Sequence, residues 1–312
     1  MDQTANKDIQ FLRPIEIVKE SINVLKSYPK TFILLTLALI LPLSLAILVH
    51  YIYFEPLLNL IPITSQPHQW LEFIIIQFFY IAILFIFSLL STAAVVFTFA
   101  SIYTSKPVSF ISTLSTIPRI FKRLFITFLF ASLLMIVYNA VFLFCLIAFI
   151  SSLDANDSTV LYISFFDLFF LFEIHVYVTA MWHLASVVSV LEPVYGWAAM
   201  KRSKELLEGN IRLATALVIV YLVICAAIGG VFRSLVIPGE IDYGLVFRSL
   251  MGGFLVVVLV ILNFIGLSAQ CIIYYVCKSY HREEIDKGAL HDQLDCYLGA
   301  YVPLQSSVEM GM

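Results

Sequence analysis

Charge is what this sequence has least of. Only 12% of its 312 residues are Asp, Glu, Lys or Arg, where a soluble domain carries about a quarter. That scarcity excludes an ordinary soluble domain, and the net charge of -3 excludes a nucleic-acid footprint. Cysteine is sparse too: Cys145, Cys225, Cys271, Cys277 and Cys296, with no CxxC pair among them. Neither a disulfide framework nor a zinc site is supported. Catalytic signatures are missing as well, with no GxSxG, HExxH, GxGxxG or P-loop. No metal or cofactor is expected. The first thirty residues, opening "MDQTANKDIQFLRPIEIVKE", are charged throughout and hold no h-region, so no cleavable signal peptide is expected.

What is present is apolar. The chain is 61% hydrophobic, with a mean hydropathy of +0.98. A bilayer crossing takes about 20 apolar residues, and six stretches qualify: 31–54, 73–104, 124–152, 160–191, 211–236 and 249–277. Pro42 lies inside the first and is expected to kink it. The predicted fold class is all-α, a polytopic membrane protein with one six-span domain over 1–277 and a tail over 278–312. Basic residues orient it. The N-terminal segment, the connections after spans two and four, and the tail hold 16 of the 18 Lys and Arg. The connections after spans one and three hold none, and Arg233 and Arg248 flank the fifth. Both termini are therefore expected in the cytoplasm, in the endomembrane system or the plasma membrane. The sequon Asn156-Asp157-Ser158 sits in an outer loop too short for glycosylation, and Cys277, at a membrane boundary, is read as an unmodified thiol or a palmitoylation site.

A pattern recurs before each odd span: "PIEIVKESINVLKSYPK" from Pro14, "PVSFISTLSTIPRIFKR" from Pro107 and "PVYGWAAMKRSKELLEGN" from Pro193. Each proline precedes its span by 17 or 18 residues, and proline suits a first helical position. Ile15, Val18, Ile22 and Leu25 make one apolar stripe. Val108, Ile111, Leu114, Ile117 and Phe121 make a second, and Val194, Trp197 and Met200 a third. Such helices can lie at the membrane surface with basic groups near phosphate. Lys122, Arg123, Lys201, Arg202 and Lys204 are the candidate interfacial cations. The expected architecture is three hairpin repeats, each preceded by a cytoplasmic amphipathic helix.

The third copy, "EPVYGWAAMKRSKELLEGNIRLATALVIVYLVI", is similar to a pattern in the membrane-domain group attached to some bacterial glycerophosphoryl diester phosphodiesterases. Its matching positions are Ala198, Ser203, Leu206, Gly209 and Asn210. With its tail "DCYLGAYVPL", the whole chain also resembles a plant family of six-span proteins without assigned activity. The resemblance implies a fold and no reaction, since the phosphodiesterase domain itself is missing.

Within the spans, "FFDLFFLFEIHVYVTAMWH" places Asp167, Glu173, His175 and His183 in apolar surroundings. A central Asp costs about 2.5–3.5 kcal/mol on insertion scales. An unpaired, ionised, lipid-facing Glu173 is therefore not expected. At about 100° per residue, His175, His183 and Glu173 fall roughly 80°, 160° and 240° from Asp167, so the four share no face. Gln77, Asn139, Asn263 and Gln270 are possible partners on other spans. Two readings stay open: hydrogen-bond glue between helices, or a proton, ion or solute pathway with Glu173 and His175 as its protonatable pair. A lipid-modifying enzyme would need a convergent polar pocket, which the sequence does not display. In the tail, Tyr301-Val302-Pro303-Leu304 fits a tyrosine-based sorting signal for a cytoplasmic partner. The leading expectation is a non-catalytic membrane protein acting through lipid and protein contacts of its interfacial helices and tail.

Overall fold

In the computed structural model the described residues are 13–60, 67–104, 109–154, 158–237 and 244–283. They are helical nearly throughout: α1 (Pro14–Ser27), α2 (Pro29–Leu35), a π-helical turn (Thr36–Ile40), α3 (Leu41–Leu60), α4 (Pro67–Tyr103), α5 (Phe110–Asp154), α6 (Ser158–Leu191), α7 (Trp197–Leu207), α8 (Ile211–Leu235) and α9 (Leu245–Tyr280). Six helices are long and apolar enough to cross a membrane: Pro29–Tyr53, Leu71–Tyr103, Phe110–Ser151, Phe165–Leu191, Ile211–Leu235 and Leu245–Tyr280. This is an all-α, multi-pass membrane protein. Pro107, Val108, the Asn156-Asp157 sequon positions, Cys296 and the tail with Tyr301 and Leu304 lie outside the described residues.

Sequential spans pack in pairs, α3 on α4, α5 on α6 and α8 on α9. The core belongs to the second member of each pair. Residues 91–101 of α4, 184–191 of α6 and 271–277 of α9 are buried on every side, and these three helices touch one another. All three segments lie near C-terminal helix ends, so the packed mass sits at one end of the bundle, here termed basal. The helices α1 and α7 attach at that end. The opposite ends of α5 and α6 project with little cover: Val137, Phe144, Phe166 and Phe170 are all exposed.

Several hydroxyls fit into this core because they satisfy themselves locally. Ser44, Thr98 and Ser186 each donate to the carbonyl four residues back, which removes the cost of burying an unpaired polar group. Pro42 is accommodated by the π turn just before it. The Leu41 N–H reaches back five residues to Thr36 O, and this wider turn falls just where the proline interrupts the regular ladder.

The three amphipathic segments take three different forms. The first is a separate helix that begins at Pro14, with the Glu16 carboxylate 2.7 Å from the Arg13 N–H. The second is the opening of the 45-residue helix α5 and continues past Pro118 into the span. Its start is set by Ser109 and Ser112, each hydroxyl 3.2 Å from the other's N–H, a reciprocal serine cap. The third begins at Trp197, four residues after Pro193. There Gly196 takes φ +62° and ψ -133°, a glycine-favoured conformation, and donates its N–H to Thr127 Oγ1 at 2.8 Å. Proline as a common helix start therefore holds for the first copy and is corrected for the third. Gly209, with φ +91°, does terminate α7 as expected.

Candidate functional site

The four polar residues of α6 go to different surroundings. Asp167 and Glu173 are exposed on the outside of the bundle, and Glu173 has no hydrogen-bond or ion-pair partner among the described residues. His175 is half-buried, its ring 5.3 Å from that of Tyr138. Asn139 is exposed and donates to its own helix at Met135 O. Only His183 faces the interior, where it lines a cavity of about 400 Å³ between α6, α8 and α9. Glu173 and His183 are not brought together, and neither is bonded to His175.

Two of the amides join helices. Gln77 on α4 lies 3.2 Å from His50 Nε2 on α3, and His50 stacks on Tyr80 at 4.1 Å. Asn263 on α9 donates from Nδ2 to Ser44 on α3 at 2.9 Å and accepts from the Tyr221 hydroxyl on α8 at 2.8 Å. This geometry is interhelical glue. Ser44 and Tyr221 were not legible as partners, because a hydroxyl in an apolar run gives no sign of where it points.

The basal end carries the densest electrostatics. Glu192, the last carboxylate after the α6 run, accepts from Tyr274 at 2.9 Å and pairs with Lys278 at 3.2 Å and Arg202 at 3.3 Å. Arg202 also pairs with Glu205 at 3.7 Å and is hydrogen-bonded to Glu283. His281 lies 3.2 Å from Leu206 O. The network ties the ends of α6 and α9 to α7. Partial burial disfavours the Arg202 charge, but hydrogen bonds and attraction from Glu283 and Glu192 outweigh it and hold its pKa above the ordinary arginine value. Arg202 is thus consumed internally, which corrects its place among the interfacial cations. Lys122, Lys201 and Lys204 are exposed, and Arg123 is half-buried. Glu192 was missed from sequence. Its signal was a lone carboxylate at the end of a span, directly before Pro193 and ten residues before an arginine.

The profile of a domain of unknown function, DUF8558, matches residues 1–312. The chain belongs to the DUF8558 family. No curated protein and no solved structure matches it. In this DUF8558 chain three of the positions singled out around α7 have clear structural roles, while Ala198 is exposed. Ser203 is buried and donates to Met181 O on α6 at 2.8 Å. Leu206 is fully buried. Gly209 leaves room for Tyr280, whose ring a Cβ would meet at 2.3 Å. These residues dock α7 onto the bundle. Among the described residues no three His, Cys, Asp or Glu side chains converge as metal ligands.

Proposed function

We propose that this is a non-catalytic membrane protein that works through lipid and protein contacts of its basal helices and its C-terminal tail. In this reading the basal end and both termini face the cytoplasm, as the 16 basic residues on that side indicate, in the endomembrane system or the plasma membrane. The observation that carries it is the docking of α7. Its buried face, Met200, Ser203, Leu206 and Leu207, holds the helix on the bundle, so Lys201 and Lys204 are presented outward. On α1, Ile17 and Ser21 pack inward while Ile15 and Ile22 remain exposed beside Lys19 and Lys26, a composition suited to a lipid boundary. Tyr301 and Leu304 would supply a cytoplasmic adaptor contact. The three proline-led segments are read as copies of one hairpin unit, and the resemblance to plant six-span proteins and to the phosphodiesterase membrane domain supports that shared fold without a reaction.

Charge reversal at Lys201 and Lys204 tests this reading. The full-length variant, followed by native mass spectrometry of retained anionic lipid, is expected to bind at least about thirtyfold more weakly, at roughly 1 kcal/mol for each of the two basic residues near the surface. Unchanged retention would remove the case for lipid contacts at α7. The alternative, proton-coupled transport through Glu173 and His175, requires the two on one wet path, and the outward position of Glu173 does not favour it.

A further inference from the structure

The cavity between α6, α8 and α9 has a volume of about 400 Å³, within the range of about 300–1,000 Å³ typical of small-molecule sites. Its walls are mostly aliphatic and aromatic, with Leu217, Ile224, Leu262 and Phe128 among them. Against this apolar surface stand polar groups that the fold leaves unused. His183 and Gln270 both line the cavity, and neither has a hydrogen-bond partner among the described residues. The Trp182 side chain contributes to the wall too, with its indole N–H buried behind it. His183 lies eight residues before the end of α6 and Gln270 ten before the end of α9. At 1.5 Å per residue these are depths of about 12 and 15 Å, so the groups gather at one level. Among the other polar groups nearby, Asn263 is held by Ser44 and Tyr221, Thr92 by Ser88 O and Ser186 by Trp182 O.

We propose that this cavity is a binding site for a neutral amphiphile that carries one hydroxyl head on an apolar body. The apolar walls suit the body, since water lying against aliphatic and aromatic surface is displaced favourably. The head is specified by the unused groups. The Gln270 amide and the neutral His183 imidazole both donate and accept. A hydroxyl, itself donor and acceptor, can meet both at once. Charged heads are excluded by the lining, which contains no Lys, Arg, Asp or Glu, since an unpaired charge cannot be desolvated cheaply. Val220, on the cavity wall and 54% exposed, leaves the α8 side open toward surrounding lipid as a route of entry. The proposal does not depend on the basal helices binding anionic lipid.

The test is photo-crosslinking of the full-length protein in zwitterionic nanodiscs with diazirine probes: a sterol, a diacylglycerol and a fatty acid. One of the two alcohols is expected to attach within residues 180–186 and 262–273, saturably, and to be displaced by its unlabelled parent. Which one does so separates a ring system from a chain as the apolar body. Gln270→Leu is expected to raise the half-saturating concentration about fivefold, the loss of one hydrogen bond. Val220→Trp, a change at an exposed position, is expected to reduce attachment while the thermal midpoint stays put, and it serves if the Gln270 variant misfolds. Attachment confined to outward residues such as Phe169 and Phe170, or equal competition by the fatty acid, would overturn the proposal. So would unchanged half-saturation in both variants, or no attachment at all.

Discussion

Asn263 and Glu173 show how differently two polar residues fare in the same bundle. Asn263 is 5% exposed and spans three helices with its two bonds. Asn263→Leu strands the Tyr221 hydroxyl and is expected to cost about 1–2 kcal/mol in unfolding measured in detergent. Adding Tyr221→Phe removes the stranded group, so the double variant should lose less than the sum of the two single losses. Glu173 has no such bond to lose. Glu173→Gln is expected to leave folded yield and thermal midpoint unchanged or slightly higher, because it removes an ionisable group from an apolar surface. A clear loss of stability would point to a partner for that carboxylate. Both residues were visible in the sequence as polar interruptions of apolar runs. Their different roles follow from helix rotation, which composition does not record.

At the scale of elements, the three proline-led segments teach the same lesson. The amphipathic pattern fell on separate helices before spans one and five, whereas before span three it fell on the first turns of the spanning helix itself. Which residues faced inward was less legible. In α5 it is Thr113, Thr116, Ile117 and Ile120 that are buried, while Ile111 and Leu114 are exposed. Threonine can face the interior here because its hydroxyl bonds to its own helix, as Thr113 does to Ser109 O. The end of α7 was legible, since glycine is the residue that takes φ +91° without strain. Gly209→Ala meets both that conformation and the Tyr280 ring, and is expected to cost about 1–3 kcal/mol. Gly230, inside α8 with nothing within 4 Å of an added Cβ, offers the contrast. Gly230→Ala should stabilise by about 0.5–1 kcal/mol. Thermal unfolding of the pair in one detergent checks both signs.

For the whole molecule, stability is concentrated at the basal end. Leu206 is fully buried there, whereas Phe144 on the projecting part of α5 is 73% exposed. Leu206→Ala is expected to destabilise by about 2–5 kcal/mol, and Phe144→Ala by no more than about 0.5 kcal/mol, in equilibrium unfolding of the full chain. Similar losses at both positions would mean that the projecting hairpin is packed as firmly as the base. By itself the sequence determined the all-helical membrane class, the six spans and the asymmetry of basic residues, because hydropathy and charge act over a local stretch of chain. Tertiary structure alone decided that Arg202 is held by Glu192 and Glu283, that Glu173 points outward, and that His183, ten residues further along the same helix, looks into a cavity with Gln270. Those outcomes depend on how each helix is rotated against neighbours distant in sequence, and that rotation is set by the packing of all their faces together.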